Sequence, residues 1–87
     1  MKISKEFSLM NIAEVNVVVP LGTKNVNFNK MISLNNSGAF LWRQLEIEKT
    51  EEELLNAMLN EYEIDETIAL KDIKGFICKL KKVGILE

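Results

Sequence analysis

The sequence predicts an α+β domain of winged-helix-like kind, a three-stranded antiparallel sheet followed by three helices (β-β-β-α-α-α). Strand-like alternation is confined to the first third, where "FSLMNI" (7–12), "VNVVVP" (15–20) and "VNFNKMISL" (26–34) are separated by turn residues. From residue 35 onward apolar residues recur at helical spacing, interrupted by capping signals at "TEEE" (50–53) and near Asp65. A small sheet and three short helices packed on one of its faces can then share a single core.

In the first strand Phe7 and Leu9 alternate with Ser8 and Met10. In the second, Val15, Val17 and Val19 share a side, and Pro20, which cannot donate to a ladder, ends the strand or sits at an edge. "LGTKN" (21–25) supplies turn residues, and the third strand puts Ile32 and Leu34 on one face, Met31 and Ser33 on the other. Strands adjacent in sequence usually pair, so two successive hairpins give the sheet. Asn35 or Asn36 caps the first helix by accepting from an otherwise orphaned backbone N–H. That helix presents Phe40, Leu41, Trp42 and Leu45, and Gly38 lets its first turn pass close to neighbouring backbone.

The second helix starts at a capping box formed by Thr50 and Glu53, and Leu54, Leu55, Met58, Leu59 and Tyr62 follow at helical spacing. The third opens near Asp65 or Thr67 and is expected to bury Ile68, Ile73, Phe76, Ile77, Leu80 and Val83. Cys78 reads as a small packing residue within it, and Gly84 suits the left-handed position that ends it.

With 87 residues, 47% apolar and 28% charged, the chain makes one domain, residues 1–87, and has no room for a separate catalytic layer. A net charge of −2 argues against broad attraction to nucleic acid. The distribution says more than the sum. Nine of the thirteen acids lie between Glu46 and Glu66, whereas residues 67–83 carry Lys71, Lys74, Lys79, Lys81 and Lys82 against Asp72 alone. The single cysteine excludes an internal disulfide and fits a reducing cytoplasm. The absence of histidine removes the commonest general base and metal ligand. No glycine spacing cradles phosphate, and charges break every long apolar run. The expectation is a cytoplasmic non-enzyme with no cofactor, no metal and no membrane association.

Lys71, Lys74, Cys78, Lys81 and Lys82 fall on one side of the third helix, and this stripe has three readings. It is a solvated surface, a DNA-binding face, or the rim of a groove for an acidic or mixed peptide. Base edges are normally read by Arg, Asn or Gln, and the only arginine is Arg43. A groove has its own physical basis: a three-stranded sheet ends in edges whose unpaired N–H and C=O groups invite another strand.

"VVVP", "VNFNKMISLNNSGAFLWRQLE", "TEEELLNAMLNEYEID" and "DIKGFICKLKKVGILE" together resemble the PqqD family across roughly residues 6–87. The most specific elements are Leu34-Asn35 followed by Gly38 and Trp42, then Asp72 and the closing Gly84-Ile85-Leu86. The resemblance implies a non-catalytic peptide chaperone of ribosomally made natural products. It would hold the leader of a precursor peptide as an added strand between the third strand and third helix. It would then present the precursor to a modifying enzyme of the radical S-adenosylmethionine (radical SAM) class. By the same resemblance the peptide contacts map to Lys30, Met31, Ile32, Ser33 and Leu34 on the edge strand, and to Leu70, Ile73, Lys74, Ile77 and Lys81 on the helix. Lys30 stands where related sequences carry glycine. The alternatives are a winged-helix nucleic-acid-binding protein and a structural subunit that docks to an enzyme without holding peptide. A bare sheet edge also leaves pairing with a second copy, as a homodimer, open.

Overall fold

The computed structural model describes residues 1–21 and 32–86. In chain order the elements are β1 (Phe7–Ile12), β2 (Val15–Pro20), β3 (Ile32–Leu34), α1 (Asn36–Gln44), α2 (Glu51–Glu61) and α3 (Glu66–Lys82). The sheet is antiparallel with order β1-β2-β3, as expected. The anticipated turn beyond Leu21 and the first part of the third strand lie outside the described residues.

The first hairpin turns on Ala13 (φ 52°) and Glu14 (φ 68°), with Ile12 opposite Val15. Two consecutive positive φ values are the signature of a type I′ turn, whose twist matches the strands it joins. Side chains with a Cβ are strained there, and glycine is not. Glu14→Gly is therefore expected to stabilise the domain by about 0.5–1 kcal/mol after allowing for glycine's larger unfolded-state entropy. A higher urea midpoint with unchanged slope checks this.

One face of the sheet meets the helices. Val18, Ile32 and Leu34 pack with Leu41, Trp42 and Leu45 of the α1 region, Leu54 and Met58 of α2, and Ile73, Phe76 and Leu80 of α3. This register puts Val18, rather than the Val15 side of β2, at the centre of the core, and Val15 stays 47% exposed. Three expectations for α3 are corrected. Ile68 is 53% exposed and Ala69 is buried in its place, Val83 is only half-buried, and Cys78 faces solvent. The buried line 69-73-76-80 fixes the helix's rotation, and positions 68 and 78 fall off it.

Each helix start is held by its own side chain. Asn35 accepts from the Gly38 N–H at 2.8 Å, and Asp65 accepts from the Thr67 N–H at 3.2 Å. The capping box of α2 is complete: the Glu53 N–H donates to the Thr50 hydroxyl at 3.1 Å, and the Thr50 N–H donates to the Glu53 carboxylate at 2.8 Å. Those bonds from the Thr50 backbone and then its side chain hold the Glu53 carboxyl below the usual carboxylate range. A depressed folded-state pKa contributes stability above the unfolded pKa, and that contribution is lost as pH falls through the folded one. Acid titration of stability is thus expected to show a component below pH about 4.5 that disappears in Glu53→Gln.

Residues 1–4, which carry no strand signal in the sequence, stitch the far end of the domain together. The Ile3 N–H donates to the Leu45 carbonyl and the Ser4 N–H to the Ile85 carbonyl, each at 2.8 Å. Ile3 also bridges Leu86 as an isolated antiparallel pair. Gly84 (φ 76°) makes the turn that brings Ile85 back, with the Ile85 N–H donating to the Leu80 carbonyl at 3.0 Å.

Candidate functional site

β3 has β2 on one side and no strand on the other among the described residues. The orientation of its main-chain groups follows from the hairpin. In a two-residue type I′ turn the closing pair, Ile12 and Val15, exchanges both hydrogen bonds, and such pairs alternate along the ladder. The Leu21 N–H donating to the Glu6 carbonyl at 2.6 Å continues that alternation beyond the strand. Val15, Val17 and Val19 therefore turn their main-chain groups toward β1, and Asn16 and Val18 turn theirs toward β3. Asn16 lies opposite Leu34 and Val18 opposite Ile32. That leaves the N–H and C=O of Ser33 pointing off the open edge.

Beside this edge runs a groove of about 390 Å³. Ser33, Leu34 and Asn35 form one wall, the first two turns of α1 with Ser37, Gly38 and Leu41 close one end, and α3 supplies Asp72, Gly75, Phe76 and Lys79. Gly38 is what lets α1 start so close to the strand. A Cβ there would lie 3.1 Å from the Asn35 side-chain oxygen that caps the helix and 3.3 Å from the Leu34 Cβ. The asparagine–glycine junction thus ends the edge strand and begins the helix within one residue.

The expected site residues divide among several places. Ser33 and Leu34 line the groove, and Ile32 is buried under the sheet. Lys30 and Met31 lie outside the described residues. On α3, Ile73 is wholly buried and Leu70 half-buried. Lys74, Ile77 and Lys81 line a different cleft of about 490 Å³, with Met1, Glu51, Cys78 and Lys82. The groove beside β3 is served by the other flank of the helix, positions 72, 75, 76 and 79. Asp72 stood out in the sequence as part of the family pattern and as the lone acid among the lysines of residues 67–83. Helical periodicity finds the buried line but cannot say which of its two flanks faces the strand.

Among the described residues there is no group of three or more His, Cys, Asp or Glu placed to hold a metal, and no helix long and apolar enough to cross a membrane.

Among the described residues, β3 thus presents an edge with outward main-chain groups beside a half-apolar helix face, the kind of edge to which a further strand can add. The chain belongs to the PqqD family, described as coenzyme PQQ synthesis protein D, whose pattern matches residues 9–86. Two solved structures share its architecture. One, described as TbiB1 in complex with the TbiA(beta) leader peptide, is 28% identical, with a TM-score of 0.78 over 100% of this chain and 95% of that one. The other, a lasso peptide synthetase B1 complexed with the leader peptide, is 20% identical, with a TM-score of 0.74 over 97% of this chain and 93% of that one, and it speaks for the fold alone. No curated protein matches the sequence.

Proposed function

We propose that this protein is a non-catalytic adaptor that holds the leader of a ribosomally made precursor peptide and presents it to a modifying enzyme, of the radical SAM class. The observation that carries this reading is the open edge of β3 over its groove, where a guest strand gains main-chain hydrogen bonds from Ser33 and side-chain contacts from α3. Family membership and the leader-bound neighbour of the same fold at 28% identity support it. The peptide-contacting residues are then Ser33 and Leu34 of the strand and Asp72, Gly75, Phe76 and Lys79 of the helix. Lys74 and Lys81 sit on the opposite flank and would act on the guest only through long-range charge.

Titrating the labelled protein with a candidate precursor leader, and separately with duplex DNA, tests the proposal. Amide shifts concentrated at 32–34 and 72–79 on adding leader are the expected result. Salt-sensitive binding of DNA with no response to leader would replace it with the nucleic-acid reading.

A further inference from the structure

Gly75 lies in the middle of a 17-residue helix, where glycine is about 1 kcal/mol less favourable than alanine. Nothing among the described residues accounts for it. Its φ is not positive, and a Cβ added there would meet no atom of the described residues within 4 Å. The space it leaves opens on the groove beside Phe76, midway between Asp72 and Lys79. Neither of those two charges has an ion-pair partner among the described residues.

Seven helical residues separate Asp72 from Lys79, a rise of about 10.5 Å. A guest strand advances about 3.3 Å per residue and turns alternate side chains to the same face. Guest residues four apart, about 13 Å, can therefore reach both charges, with one further helix-facing side chain halfway between them. That central side chain falls on the hollow at Gly75 and the ring of Phe76. Resting on the peptide-binding reading, we infer that the groove selects a guest with a large apolar residue at the centre. A basic residue two positions away on the Asp72 side and an acidic residue two positions away on the Lys79 side complete the pattern. The apolar residue sets register by filling the hollow, and the opposed charges set which way the chain lies.

The test is selection from a displayed library of randomised short peptides on the full folded chain, with amide shifts of Ser33 and Gly75 locating the bound peptide. Groove-bound peptides are expected to share the base–x–apolar–x–acid spacing, in whichever chain direction the groove imposes. Each charge should contribute about two- to fivefold, as exposed ion pairs do. The double variant D72K/K79D should select peptides with the two charges exchanged. Gly75→Leu should weaken the selected peptides about tenfold, and much less those carrying alanine at the centre. Gly75→Ala should melt higher than the parent, because alanine relieves the helix of the glycine whose space the guest uses. Peptides that move the Ser33 and Gly75 amides yet share neither charge nor central residue would overturn this inference and leave the adaptor reading standing. Binders that leave both amides unmoved, or no binders at all, would overturn the two together.

Discussion

Trp42→Ala is expected to cost about 3–5 kcal/mol, the range for removing a large aromatic from a packed core. Trp42 is 2% exposed and sits where α1 meets the sheet and the N-terminal segment, beside Ile3, Phe7 and Leu9. Its neighbours Leu41 and Leu45 are equally buried, so the packed surroundings can relax only partly into the vacated volume. A domain of this size has total stability of order 5–10 kcal/mol, so the variant should be largely unfolded at moderate urea. Denaturant melts followed by far-ultraviolet dichroism read the effect. A loss below about 1 kcal/mol would mean that α1 does not anchor the two layers.

Proline at positions 32 and 33 is expected to have opposite consequences. The Ser33 N–H points off the open edge, so Ser33→Pro removes no hydrogen bond among the described residues, and proline is tolerated on edge strands in that orientation. A guest strand loses its partner there and meets the ring, for a weakening of tenfold or more, since an unmet buried hydrogen bond costs about 1–3 kcal/mol. Ile32→Pro removes the N–H that faces Val18 and deletes a side chain only 7% exposed, so its cost of about 3 kcal/mol falls on folding itself. Urea melts of both variants, with leader titrations of whichever folds, separate the two. Should Ser33→Pro unfold the protein while Ile32→Pro merely loses leader, the strand would be rotated by one residue relative to this register.

Much of the architecture can be read from local chemistry. Both strands of the first hairpin begin and end where alternation and Pro20 place them, and Thr50-Glu53 forms the reciprocal cap that its spacing announces. Between the two candidate caps of the first helix, the Asn35 side chain makes the bond. What was not legible depends on long-range packing. The two-residue turn uses alanine and glutamate, so no Asn-Gly signal marks it, yet it decides that Val18 and Ser33 face where they do. The anchoring of residues 1–4 on Leu45 and Ile85 rests on main-chain hydrogen bonds that no side-chain pattern encodes. The groove flank of α3 is a matter of helix rotation against the sheet: lysines drew notice to positions 74 and 81, while a glycine, a phenylalanine and two opposite charges occupy the side next to β3.

The bridge between Ile3 and Leu86 brings entry and exit of the polypeptide to one doorway. A module with that layout can be spliced into a surface loop of a larger catalyst without stretching its host, because the loop's two stumps need be only a strand's width apart. The same fold is thereby suited to travel either alone or as an inserted room of a larger chain.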